Sequence, residues 1–143
     1  MEFFQTIQQV DVDAGDLKRL LTLGNLPGLC ASIDTSQPRT DHEGEIYCLW
    51  GAFNVRRDEI ANGVRFSLLD CPHALAWSIT CDKASGRIII HCTIDKTEPE
   101  ADFVESIALF VRDWADGVSR SFKGSRAEVG AAGVPLDLVG IGS

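Results

Sequence analysis

Between residues 64 and 122 the apolar positions follow first a period of two and then a period of three to four, the signatures of strands and of an amphipathic helix. In the middle run Leu75, Trp77, Ile79 and Cys81 are apolar, while Ala74, Ala76, Ser78 and Thr80 between them are small or polar. That alternation predicts a strand with one buried face. The tight connection Asp70-Cys71-Pro72-His73 lets Leu69 face Ala74, which sets Leu68 opposite Leu75, Phe66 opposite Trp77 and Val64 opposite Ile79. Downstream, the loop Lys83-Ala84-Ser85-Gly86 puts Asp82 opposite Arg87, and Cys81, Ile79, Trp77 and Leu75 then meet Ile88, Ile90, Cys92 and Ile94. Both turns give the same inner face. Since a slip of one residue would turn that face outward, their agreement specifies the register.

The period changes after Ile94. Thr97 and Glu100 have capping-box spacing and Pro99 falls where a first helical turn tolerates proline, so a helix is expected from here. Phe103, Val104, Ile107, Phe110, Val111, Trp114, Ala115, Val118 and Phe122 share one helical face. Glu98, Glu100, Asp102 and Glu105 crowd its start and Arg120 and Lys123 its end, in the sense the helix dipole favours. This apolar stripe needs a partner, and the inner face of the sheet is the available one.

Upstream the pattern is weaker. Residues 3–10 read as a strand, and Asp13 followed by Leu17, Leu20 and Leu21 as a short helix stopped by Gly24 and Pro27-Gly28. Residues 29–44 read as a long loop, with at most a short strand at 29–33. A strand at 46–55 carries apolar residues on both parities, which suggests cover on both faces. The run Arg56-Arg57-Asp58-Glu59 and the pair Asn62-Gly63 then form a connection, with Val55 facing Val64 and Phe53 facing Phe66. The expected class is α+β, an antiparallel sheet in the order strand, helix, four strands, long C-terminal helix packed on one face. This element order resembles helix-grip folds, in which a curved antiparallel sheet wraps a long C-terminal helix. The resemblance is one of order only, and such folds serve many unrelated functions.

Residues 1–122 form one expected domain, and residues 123–143, rich in glycine and without an aromatic side chain, a flexible tail. One stretch there, Val134-Pro135-Leu136-Asp137-Leu138-Val139, is apolar enough to dock. The chain has 143 residues and a formal charge of -8, which argues against nucleic-acid binding because no basic stripe is present. Neither a leader nor a membrane-length apolar run is visible, so the expected location is the cytoplasm, away from membranes. The surface acidity suits a basic protein partner. Self-association is a further expectation, because Leu69 and Ile89 fall on the outer sheet face and the first strand at an edge.

Candidate chemistry is sparse. Five cysteines cannot close into a full set of disulfides, and Cys30, Cys48, Cys81 and Cys92 read as small core residues. Cys71 and His73 flank Pro72 on a turn, a weak metal or nucleophile candidate without the further ligands zinc would need. Arg65, Ser78 and His91 line up across three strands on the outer face, a row able to take an anion or a partner carboxylate. Phe66, Trp77, Ile79, Phe103, Phe110 and Trp114 would wall an apolar cavity between sheet and helix. No cofactor and no catalytic residue is assigned. Three functions are ranked in order: a non-catalytic accessory protein (adaptor, chaperone-like protein or inhibitor) acting on protein partners; a carrier of an apolar small molecule in that cavity; and an enzyme on Cys71 and His73 or on Arg65 and His91.

Overall fold

Every rung expected on either side of Trp77 that falls within the strands is present. In the computed structural model, which describes residues 1–8 and 11–123, Val64 pairs with Ile79, Phe66 with Trp77, Trp77 with Cys92 and Ile79 with Ile90. Gln9 and Val10 lie outside the described residues, as does the tail expected over 123–143 except Lys123, which ends the last helix. The strands are β1 (Glu2–Ile7), β2 (Ile33–Pro38), β3 (Glu43–Cys48), β4 (Gly51–Ile60), β5 (Gly63–Leu68), β6 (Ala76–Asp82) and β7 (Arg87–Thr93). They form one antiparallel seven-stranded sheet in the order β1-β7-β6-β5-β4-β3-β2. The helices are α1 (Ala14–Leu20), α2 (Leu26–Leu29), preceded by a 3-10 turn at Leu23–Asn25, and α3 (Ala101–Lys123). The result is a helix-grip architecture with α3 packed on β1, β7 and α2, and with α1 on β5 and β6.

The expected count was two strands short. The stretch expected as one strand over 46–55 is a hairpin that turns at Leu49-Trp50, so its doubled apolar parity comes from two strands, and Tyr47 on its outer side is exposed. The expected loop over 29–44 contains β2, and Leu29 belongs to α2 instead of a strand. As an edge strand, β2 buries only Ile33, so Asp34, Thr35, Ser36, Gln37 and Pro38 leave no alternation to read. The run Arg56-Arg57-Asp58-Glu59 is not a connection but the second half of β4, and Val55 pairs with Leu68 while Arg57 pairs with Phe66. Because Leu68 and the expected Val64 differ by an even number of positions, the inner face survives the shift.

Arg57 consequently points its side chain into the inner layer, where it is only 5% exposed. A guanidinium there needs acceptors. It finds two at the end of α1, where Nε donates to Leu21 O at 2.6 Å and Nη2 to Lys18 O at 2.8 Å, and a third on its own strand, where Nη1 donates to Glu59 Oε2 at 3.0 Å. Asn25 Nδ2 takes Leu20 O at 2.8 Å, so the orphan carbonyls that end a helix are covered by side chains. The start of α1 is closed by a reciprocal cap, Asp16 N to Asp13 Oδ1 at 2.8 Å and Asp13 N to Asp16 Oδ2 at 3.0 Å. Pro27, expected to stop a helix, sits in the first turn of α2, where no amide proton is required.

At α3 the first helical bond runs from Val104 N to Glu100 O at 3.0 Å, which makes Glu100 and not Thr97 the cap position. The residue before a proline avoids helical dihedrals, so Pro99 holds Glu98 outside the helix and delays its start. Ile107, Phe110, Val111, Trp114, Ala115 and Val118 are buried as the stripe predicts. Near the other end, α2 crosses α3 at Gly117, where a Cβ would lie 1.6 Å from Leu29 O. Only glycine permits that approach.

Two stability predictions arise from these contacts. Gly117→Ala must push α2 off α3 and is expected to cost more than about 2 kcal/mol in a urea titration; a loss below about 0.5 kcal/mol would show that the crossing is loose. Arg57→Ala uncovers two carbonyls at the end of α1 and is expected to cost about 2–4 kcal/mol, read from the same titration.

Candidate ligand-binding site

The residues expected to wall a cavity do converge, and they do so as an aromatic cluster bridging β5, β6 and α3. Phe66 stacks on Trp77 with centroids 5.3 Å apart, and Trp77 meets Phe110 edge to face at 4.8 Å and 84°. Trp114 lies 6.1 Å from both Phe66 and Trp77. Ile79 is fully buried on the same face, opposite Val64 and Ile90. Phe103 joins at the start of α3 and is half-buried. Edge-to-face and offset geometries of this kind add roughly 0.5–1.5 kcal/mol per pair to ordinary apolar burial.

One member was missed. Trp50, at the tip of the β3–β4 turn, lies 4.9 Å from Phe110 and 6.0 Å from Phe103 and donates from Nε1 to Ser106 Oγ at 2.9 Å. Ser106 in turn donates to Phe103 O at 2.6 Å, so its hydroxyl is held in place to accept. Gly51, at φ +117, supplies the backbone reversal that lets the indole fold over the cluster. The signal was available as a tryptophan followed by glycine, the residue pair of a turn, but the surrounding apolar run concealed it.

Trp77 and Trp114 differ from Trp50 in one respect. Both indole Nε1 atoms are buried, and neither has a hydrogen-bond partner among the described residues. They sit on facing elements, one on β6 and one on α3. Polar side chains elsewhere on the inner side are engaged: Ser32 Oγ donates to Asp113 Oδ2 at 2.5 Å and Ser36 Oγ to Leu23 O at 2.6 Å.

Three of the cysteines have thiols raised by burial, which favours the neutral form. Burial pushes Cys92 up to about 12, and Cys30 up to about 12 with the Asp113 carboxylate adding to the effect. Cys48 is also raised by burial. Cys71 is half-buried against the core, and the ring of His73 lies 4.8 Å from Phe103. Among the described residues no group of three His, Cys, Asp or Glu side chains could hold a metal ion. Between His73 and β6, Ala74 has φ 50, a left-handed conformation that disfavours a Cβ.

On the outer face Arg65, Ser78 and His91 stand side by side in the expected register, extended by Asp58 beyond Arg65 and Phe4 beyond His91. The imidazole of His91 already has company: Nε2 is 2.7 Å from Glu2 Oε1, and Phe4 stacks on the ring at 4.3 Å. An anion recruited to this row competes with Glu2. No helix among the described residues is long and apolar enough to cross a membrane.

Neither a family model nor a curated protein matches the chain. Solved structures match in fold. The protein XoxI from Bacillus cereus superposes over 91% of this chain and 99% of its own, with a TM-score of 0.62 and 12% identity. A START superfamily protein from Mycobacterium smegmatis covers 87% and 98%, with a TM-score of 0.58 and 9% identity. The di-domain ARO/CYC StfQ from the steffimycin biosynthetic pathway matches over 85% of this chain and 45% of its own, with a TM-score of 0.55 and 13% identity. At these identities the likeness establishes the fold.

The raised thiols carry a pH dependence. In the unfolded chain Cys30 and Cys92 ionise from an ordinary value of 9.0, while in the fold they hold their protons to about 12. The unfolded state therefore loses protons first, so this contribution to stability is complete below 9.0 and fades as pH rises toward about 12. Urea titrations over that range are expected to show a steeper loss for the native protein than for a Cys30→Ala/Cys92→Ala variant; equal slopes would refute it.

Proposed function

We propose that this protein binds an apolar small molecule between the inner sheet face and α3, as a carrier or binding module and without performing chemistry on it. The observation that supports this is the pair of unpartnered indole donors of Trp77 and Trp114. A buried N–H with no acceptor costs about 1–3 kcal/mol, so folded proteins rarely leave one, and two in contacting rings is a cost that a bound acceptor would relieve. The fold adds support, because its solved neighbours include a START superfamily protein and an ARO/CYC protein with the same layering. The adaptor reading that ranked first rests on small size, an acidic surface, the expected loose tail and the lack of a catalytic signature, whereas the carrier reading has this buried pair behind it.

Entry is assigned to the end where α3 begins. Trp50 closes it through a single hydrogen bond to Ser106, and the exposed side chains of Leu49 and Leu69 flank it on neighbouring turns. Where α1 ends, Arg57 ties that helix to β4 through two hydrogen bonds, to Leu21 O and Lys18 O, and is held by a third to Glu59 within β4. The two regions differ in what opening them would cost.

Titration with N-phenyl-1-naphthylamine, a neutral apolar fluorophore, is expected to saturate at one site per chain, with native mass spectrometry showing the same stoichiometry. Filling the interior by Ile79→Trp should abolish binding while the circular dichroism is kept. Trp50→Ala removes the closing contact and should raise the association rate by about tenfold. A folded protein with no saturable uptake overturns the reading.

A further inference from the structure

A cleft of about 380 Å³ lies where the end of α1 and the 3-10 turn approach the β2–β3 turn, and Arg57 and Glu59 of β4 contribute to its lining. Arg57 fixes both banks. Its guanidinium donates to Lys18 O and Leu21 O at the end of α1, and its amide donates to His42 O at 2.7 Å in the β2–β3 turn. Thr40 closes that turn, its hydroxyl accepting from His42 N at 3.1 Å and from Glu43 N at 3.0 Å. The side chains on the two banks are thus carried by backbone tied to one residue, the kind of preorganisation that lowers the cost of binding. The fixed charges of the lining are of both signs, Lys18 and Arg57 against Asp41 and Glu59. Arg57 and Glu59 pair with each other at 3.0 Å, whereas neither the Lys18 ammonium nor the Asp41 carboxylate enters an ion pair among the described residues. Arg57 is almost fully buried yet lines the cleft, and its three side-chain hydrogen bonds leave part of its five-donor guanidinium unused. Leu23 and Pro38 add apolar surface.

We propose that this cleft binds a small zwitterion with an apolar side group, of the α-amino-acid kind, its carboxylate accepting from Lys18 and Arg57 and its ammonium donating to Asp41 and Glu59. A simple anion would meet the two carboxylates as well as the cations, on a chain whose formal charge is -8, and a simple cation would meet Lys18 and Arg57. A molecule carrying both charges finds a partner for each, and charge complementarity of this sort selects among ligands more than it adds affinity. The volume falls at the small end of ligand pockets, which run from about 300 to 1,000 Å³. None of the lining residues belongs to the ring cluster between β6 and α3, so this site does not rest on the carrier reading.

Three probes sharing one carbon skeleton test this: L-leucine, 4-methylpentanoate, which lacks the amine, and 3-methylbutylamine, which lacks the carboxylate. Titrated at low salt into the isotope-labelled full chain and followed by amide chemical shifts, L-leucine is expected to saturate with its largest shifts at Thr22, Gly24, Asp41 and His42. Each half-ligand should bind at least about threefold more weakly, the scale of one exposed charge pair. Asp41→Asn should shrink the advantage of L-leucine over 4-methylpentanoate, and Lys18→Gln its advantage over 3-methylbutylamine, each leaving the other ratio in place. Both substitutions are on the surface and keep side-chain size, so the amide spectrum itself reports that the fold is retained. No saturable shift with L-leucine, shifts centred away from the cleft, a half-ligand as tight as L-leucine, or ratios unmoved by both variants overturns the proposal.

Discussion

Trp77 of β6 meets Phe110 edge to face at 4.8 Å and Trp114 at 6.1 Å, and through this contact the sheet acquires its second layer. Without a partner the inner row Val64, Phe66, Trp77, Ile79, Ile88 and Ile90 would face water, at a cost of roughly 1.5–3 kcal/mol for each large side chain. Without the sheet, α3 would expose its own stripe. Each element supplies the apolar surface that the other requires, and the remaining elements fill what this pairing leaves open. Leu17 and Leu21 from the α1 region and Leu26 and Leu29 from α2 complete the same core.

The same contact leaves the two buried donors. In a core built for stability alone, a phenylalanine at either position would contribute nearly as much apolar area with no orphan N–H. Trp50 shows the alternative, since its indole is satisfied by Ser106. The contrast between a satisfied tryptophan at the end of the cluster and two unsatisfied ones within it sets this interior apart from ordinary packing.

How much could be read from the chain depended on which force wrote each segment. The hairpins around β6 were legible to the individual rung because one face of each strand is buried, and burial enforces strict alternation at Leu75, Trp77, Ile79 and Cys81. The α3 stripe was legible for the same reason. At β2 the pattern failed, because an edge strand under little cover is chosen by main-chain pairing and not by side-chain burial. At Arg57 it failed differently: charge normally signals exposure, and only the carbonyls at the end of α1, distant in sequence, make a buried guanidinium tolerable. Of the candidate site, Phe66 and Trp77 followed from strand parity and Phe110 and Trp114 from the helical period, while Trp50 depended on a turn that parity obscured. The unpaired donors were not legible at all, because satisfaction is a property of three-dimensional neighbours.

Gly117 carries a consequence for how chains of this type can diverge. Its missing side chain is the space that the Leu29 carbonyl fills, so the glycine and the single-turn helix above it are sterically one unit. A descendant that lengthened or deleted α2 would release that position to larger residues, and one that replaced the glycine would have to rebuild the α1-to-β2 crossover. Among distant relatives, glycine at this turn of the terminal helix should therefore serve as a marker for the crossover's geometry even where no other identity survives.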